Sequence, residues 1–399
     1  MTIKLGCFDS DISEQTCQSY IQQIGQMTRV PLTQVTPGLD KLTLQKYAAV
    51  APAMCVAEVQ EGLQAIGFFP NSKVDGIYGY RTQSAIRLFQ EYLRSVEKIE
   101  EVVPDGQFGA ATQGHLQRWL AGKLKSQWTQ AMESFQAGTL GQSEYADWLA
   151  LLEKVKQQYL ATPNKMLQKV NAYAGASGTR KVAAWDFKSP ANVHLIGIRS
   201  VGFRGKFEDI FILLLNGLVF KFQGSTDPGA AADSAGYPFL VQGQHDYHFG
   251  WHKETYLALR PLSQVLVLRS KTDELTEADL NNRLEANASI NVHWGGPGMA
   301  KDVHNWSEGC QVINGTVYIN PANELISCSK FAAYTSQQPL SDPTKTRGAY
   351  NVLLDLITTF GLGQGATLSY MMLVESDLDL DPTLKQGLAD ARNKVLALL

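Results

Sequence analysis

"VDGIYGYRTQSAIRLFQ", residues 74–90, opens on a turn and runs into a helix. Asp75-Gly76 is a turn dipeptide, and Gly79 follows the aromatic Tyr78. Thr82 is placed as the N-cap, after which Ala85, Ile86 and Phe89 recur at helical spacing. The same grammar returns 30 residues later, where Asp105-Gly106-x-Phe108-Gly109-x-x-Thr112 repeats Asp75-Gly76-x-Tyr78-Gly79-x-x-Thr82. Each unit reads as a glycine-tightened turn, pinned to a core by an aromatic, before a helix begins. A leading helix in "VAEVQEGLQAIGF" sets Val56, Val59, Leu63 and Ile66 on one stripe.

The doubled turn after a leading helix resembles the small three-helix peptidoglycan-binding domain, over roughly residues 52–122. The resemblance implies affinity for cell-wall glycan or stem peptide. It marks Asp75, Gly76, Tyr78, Gly79, Thr82, Phe89 and Gln90 as the residues of the module. A helical packing unit without a ligand is the plainer alternative.

Outside this stretch the periodicity changes twice. Residues 1–51 carry little pattern and read as an N-terminal arm or linker. Residues 123–179 read as a helical connector, with Trp148, Leu152, Val155 and Tyr159 on one stripe and "YAGASGTR" (173–180) as a flexible joint. From 180 to 399 the period is that of strands. "DIFILLLNGLVFKFQG" is two apolar runs around Asn216-Gly217, a hairpin signal, and Asn314-Gly315 marks a second. Helices at 350–360 and from 382 onward close the chain. The fold class is therefore multidomain α+β: a small helical domain, a helical connector, then a β-rich domain with C-terminal helices.

Within the β-rich part, "INVHWGGPGMAKDVHNWSEGCQVING" (290–315) holds the chemistry. His293 closes a strand, a glycine-rich loop follows, and Cys310 stands 17 residues on. A thiolate attacks where a thiol does not, and a neighbouring imidazole is a proton acceptor for it. Gly309 permits a tight turn that could aim amides at a developing oxyanion. His304 is a rival base, less favoured because it lies in the loop. A small buried hydrophobe is the bland reading of Cys310.

The His-x(13)-Ser-x-Gly-Cys pattern resembles the L,D-transpeptidase (YkuD-like) signature. The resemblance implies a β-sandwich, with Cys310 as nucleophile, His293 as base, and Ser307 and Gly309 shaping the turn and the oxyanion site. It implies a thioester acyl-enzyme on peptidoglycan stem tetrapeptides, passed to an amine or to water. Glu308 and Val312 depart from the family, which has His at the first position and Arg or Asn at the second. A divergent acceptor or an inactive, wall-binding protein are the alternatives this leaves. "STDPG" (225–229) and "GWH" (250–252) loosely match segments lining that family's cleft. Substrate contacts are accordingly expected from His252, Tyr237, Trp294, Trp306 and Glu308.

Composition agrees with a globular chain and excludes some partners. A formal charge of −3 without a basic run gives no reason for a nucleic-acid partner. The most apolar stretch, residues 210–220, is too short to span a bilayer. The His245, Asp246, His248, His252 group is a weak metal signal, so no metal or cofactor is expected. Five cysteines without a Cys-x-x-Cys pair read as mostly free thiols, with Cys7–Cys17 the one conceivable bridge. The expected partners are peptidoglycan stem peptides and glycan, at the bacterial wall. "MTIKLGCFDSDISEQ" has no apolar h-region, which leaves non-classical export, injection or a trimmed N-terminus as alternatives, with 1–51 a candidate docking segment under injection.

Overall fold

The computed structural model describes residues 2–27, 44–70, 72–188, 193–201, 206–232, 234–253, 256–296, 303, 306–332, 345–361 and 367–398. The helical part begins with β1 (Cys7–Asp9), α1 (Glu14–Met27) and β2 (Gln45–Tyr47). It continues with α2 (Val56–Ala65), α3 (Tyr80–Ser95) and α4 (Ala110–Ala121).

The described part of 1–51 is integral to this unit, not an arm. Its backbone bridges both turns, Ile3 to Phe108 and Phe8 to Ile77. The Asp9 carboxylate accepts the Val56 and Ala57 N–H groups at 2.7 and 2.9 Å. Those donors have no partner within a helix, so the carboxylate fixes where α2 begins. Cys55 adds a capping box with Glu58. All five cysteines are free, Cys7 and Cys17 included.

The doubled turn is built from the inside. Gly76 and Gly106 have φ of 69° and 73°, the left-handed region that glycine enters without strain. Thr82 is not the N-cap: α3 starts at Tyr80, behind Gly79, and Thr82 is buried in its first turn. Gln60 holds the first turn together. Its Oε1 accepts the Asp75 and Gly76 N–H groups at 3.0 Å, and its Nε2 donates to Asp75, Ile77 O and Thr82. Gln90 repeats this on the second turn, accepting from Gly106 and donating to Asp105, Gln107 O and Thr112. The Tyr78 hydroxyl then reaches Gly106 O at 3.0 Å, tying one turn to the other.

The β-rich part closes on itself. Its strands are β3 (His194–Arg199), β4 (Asp209–Leu215), β5 (Leu218–Ser225), β7 (Gly243–His252), β8 (Tyr256–Pro261), β11 (Val292–Trp294), β12 (Gln311–Ile319), β13 (Leu325–Ser327) and β14 (Leu368–Val374). They hydrogen-bond in the order β11-β8-β7-β14-β3-β4-β5-β12-β13, and β11 also pairs with β12. That last pairing joins the ends into a barrel of eight strands, with β13 outside the closure; the expected sandwich is replaced by a barrel. A smaller sheet of β10 (Glu285–Asn287), β9 (Val265–Ser270) and β6 (Tyr237–Leu240) lies beside it.

Asn216 and Gly217, at φ of 48° and 91°, turn the β4–β5 hairpin as expected. Asn314-Gly315 does not turn. Both residues lie inside β12, at a register shift between Ile313 and Tyr318. A Cβ on Gly315 would come within 2.7 Å of Trp294 Nε1 and 2.9 Å of Arg347 O, so close packing rather than a hairpin requires the glycine.

One core runs through both parts. Phe68, Phe89 and Trp119 of the helical unit belong to the same apolar cluster as Phe211, Phe220, Trp294 and Tyr370 of the barrel. Helix α8 (Ala349–Phe360) stands between them, and Arg87 of α3 forms a bidentate pair with its Asp355. The connector helices α5 (Gln127–Gln136), α6 (Glu144–Ala161) and α7 (Lys165–Ala172) are not a spacer. Leu152, Val155 and Tyr159 of α6, with Leu388 of α9 (Pro382–Leu396), cover Ile196, Ile212 and Met371 on the second face of the sheet. Nor is 173–180 a loose joint. Gly178 N–H donates to Gln264 O at 2.7 Å, Thr179 bonds His245, and Arg180 pairs with Asp246.

Candidate functional site

The strands β11 and β12 run parallel, with His293 opposite Val312 and Val292 opposite Gln311. The Gln311 N–H donates to Asn291 O, which carries the register back to Cys310 beside Asn291. Side chains two apart along a strand share a face, so the register, continued one residue before both strands, sets Cys310 and Asn291 on the side of Val312 and His293. Tertiary pairing, not the intervening loop, brings the thiol and the imidazole to one surface. His304 lies outside the described residues.

Hydrogen bonding assigns the state of each group. His293 Nδ1 is 2.8 Å from Trp294 O. A carbonyl only accepts, so Nδ1 carries the proton and Nε2 keeps its lone pair. The Tyr256 hydroxyl lies 3.3 Å from the same Nδ1. Burial pushes the His293 pKa down to about 4, so the ring is neutral at pH 7. Cys310 is half-buried. Its Sγ accepts the Asn291 N–H at 3.4 Å and donates to Ser289 O at 3.2 Å. Desolvation pushes its pKa up to about 11, against the opposing pull of that N–H. The resting couple is therefore thiol and neutral imidazole rather than an ion pair.

Ser307 and Gly309 form the turn that delivers Cys310. Ser307 Oγ donates to Cys310 O at 2.7 Å and accepts the Gly309 N–H at 3.2 Å. That donor is thereby spent on the turn and does not point at an oxyanion. Gly309 has φ of 119°, and a Cβ there would lie 2.6 Å from Pro238 Cγ. The carbonyl of Ser307 accepts from Gly229 and Ala230, which seats the end of "STDPG" against the cysteine turn.

The expected substrate contacts separate. His252 ends β7 and lies flat on His293, ring centroids 3.9 Å apart. Trp294 is fully buried in the barrel core and faces away from the cysteine, because strand alternation opposes it to His293. It is a packing residue. Trp306 is 37% exposed and packs edge-on against Trp294 at 5.5 Å, on the residue that faces away from the cysteine. Glu308 is exposed, and Tyr237 is half-buried at the start of β6, next to the Pro238 that meets Gly309. Val312 is buried in apolar contact with Phe207 and Val303.

The seven module residues are parts of the doubled turn or of the core. Gly76, Tyr78, Gly79, Thr82, Phe89 and Gln90 are buried, and Asp75 is half-buried with its carboxylate on Gln60 and Ile77 N. They shape the module, and all but the half-buried Asp75 are enclosed in it.

His245 turns away from His252, its two ring nitrogens meeting Thr179 Oγ1 and Val241 O. Among the described residues no three His, Cys, Asp or Glu side chains gather as metal ligands would, and no helix is long and apolar enough to cross a membrane.

Asn291, Tyr256 and Arg347 escaped the sequence reading. Asn291 could have been found, since it alternates with His293 in "NVH". Tyr256 and Arg347 reach the site only through the fold: Arg347 lies 4.3 Å above the Tyr256 ring and 5.4 Å from Trp294.

Residues 55–116 match the family model of a peptidoglycan binding domain. No curated protein matches the chain. A solved structure of a fused Zn-dependent amidase/peptidase/peptidoglycan-binding domain-containing protein from Clostridium acetobutylicum is 12% identical, with a TM-score of 0.22. That alignment covers 79% of this chain and 94% of that one, and at this score it bears on neither fold nor chemistry.

Proposed function

We propose that the chain is a peptidoglycan-modifying cysteine acyl transferase of the L,D-transpeptidase kind, acting on stem tetrapeptides at the bacterial cell wall. The observation that carries the reading is the parallel register of β11 and β12, which brings Cys310, one residue before β12, to the side of an Nδ1-protonated, neutral His293. The peptidoglycan binding domain at 55–116 supplies the polymer.

In this reading the Cys310 proton passes to His293 Nε2 as Sγ attacks the scissile carbonyl. The imidazolium returns that proton to the leaving amine, and a thioester remains on Sγ. An incoming amine then attacks the thioester carbonyl, loses its proton to Nε2, and expels the thiolate, which is reprotonated. Water in place of the amine makes the same cycle a carboxypeptidase or endopeptidase.

The test is an acylating carbapenem-type probe, followed by intact mass under reducing conditions. A single adduct on the wild-type chain, lost in Cys310→Ala while binding to purified sacculi persists, is the expected result. Turnover of muropeptides by Cys310→Ala would sink the assignment. A second reading, a wall-binding protein with a silent site, draws on Val312, an apolar residue packed against Phe207 and Val303. No adduct on the wild-type chain would favour it.

A further inference from the structure

Two residues outside the Cys310–His293 couple meet at it: Asn291 and His252. Asn291 links one half of the couple, Cys310, to the second histidine, His252. Its main-chain N–H donates to Cys310 Sγ at 3.4 Å, and its side-chain amide lies 3.1 Å from His252 Nδ1. His252 in turn lies on His293 with 26° between the rings, and Tyr256 flanks it at 5.3 Å. Asn291, His252 and His293 are each nine-tenths or more buried. A flat ring at 3.9 Å leaves no room for water on that side of His293 and blocks rotation of its imidazole. The His293 ring is thus held at one edge by Trp294 O and across one face by His252.

We infer that Asn291 and His252 are positioning residues for His293: Asn291 fixes His252, and His252 holds the base dry, neutral and aimed. The inference rests on the acyl-transfer reading of Cys310 and His293. Its physical content is a low acid limb. His293 serves as a base only while unprotonated, so the rate falls as pH drops through its pKa. Burial sets that pKa, and the His252 ring covers one face of the imidazole. Other charged and titratable groups also act on the couple. Lys253 and Arg260 bear on His252 and on Cys310, and Glu308 opposes them at the thiol. Lys253 also acts on His293, and Arg347 stands over Tyr256. None of them is altered by the substitutions below.

The experiment follows Cys310 acylation by the carbapenem-type probe as a function of pH, by intact mass, in the full chain. In wild type the acid limb is expected well below pH 6. His252→Ala admits water to the ring face, so the limb moves up toward about 6.5, the value of a solvated histidine. The plateau rate falls about tenfold or more as the imidazole loses its aim. His252→Phe keeps an aromatic ring against His293 but loses the bond from Asn291, so its limb moves up less than that of His252→Ala. Asn291→Ala, which retains the main-chain N–H to sulfur, shifts the limb in the same direction as His252→Ala; it carries the test should His252→Ala not fold. Wild-type rate and limb in His252→Ala, or in Asn291→Ala, would overturn the positioning role and leave the acyl-transfer reading standing. A wild-type chain that forms no adduct overturns both.

Discussion

The pair Arg87–Asp355 tests whether the helical unit and the barrel are one folding body. Its side chains are 14% and 2% exposed, and the guanidinium meets the carboxylate bidentately, with Nη2 to Oδ1 at 2.7 Å. Such a pair contributes little net stability when compared with apolar residues of the same size, yet breaking it strands a buried charge. Removing one partner costs roughly 3–5 kcal/mol. Asp355→Leu leaves Arg87 in that position. Against a total stability of about 5–15 kcal/mol, the loss is a large share of the whole. The double substitution Arg87→Met with Asp355→Leu removes both charges and is expected to recover most of it. Urea unfolding followed by far-UV circular dichroism and by tryptophan fluorescence reads the outcome. Because Trp119 of the helical unit and Trp294 of the barrel share one core, both probes are expected to move together in the single variant. A loss under about 1 kcal/mol would refute the argument. So would a split into two transitions of which only one shifts.

Gln60→Ala and Gln90→Ala each strip a buried amide from a glycine turn, and each is expected to destabilise by about 2–4 kcal/mol, as judged by chemical denaturation. A loss within about 0.5 kcal/mol would show that the turns hold without them. Alkylation of Cys310 by iodoacetamide, read by peptide mass, is expected to rise about tenfold per pH unit from pH 7 to 10, because the thiol pKa is pushed up to about 11. A plateau by pH 8 would mean a preformed thiolate. The chain is expected to lose stability as pH falls from about 6.5 toward 4. His293 and His194 are held down to about 4, His245 to about 3 and His252 to about 2, all by burial, so the unfolded chain binds more protons across that window. Each contributes a slope of up to about 1.4 kcal/mol per pH unit, and a urea midpoint unchanged between pH 7 and 5 would contradict the assigned neutral states.

Local chemistry made much of this legible in advance. The two Asp-Gly turns, the helices that follow them and the Asn216-Gly217 hairpin are set by residues within a few positions of each other, so sequence alone determined them. Even the Gln60 counterpart of Gln90 was available, at the same 30-residue offset as the turns. The cysteine and histidine could be named as candidates, because their residue types carry chemistry wherever they stand.

What the sequence could not determine is how distant segments close on one another. Asn314-Gly315 has the letters of a turn, but Trp294 and Arg347 press on it from elsewhere in the chain, and the strand runs through. Residues 1–9 have no periodicity to read, because a three-residue strand and a capping aspartate acquire meaning only beside the turns they bridge. The pairing of β11 with β12 closes the barrel and puts Cys310 on the face of His293, and the same pairing sends Trp294 to the core. Register between strands is a tertiary choice, made by which faces can be buried together. The identity of the reactive candidates came from the sequence; their shared face, their protonation and the second histidine stacked on the first came from the fold.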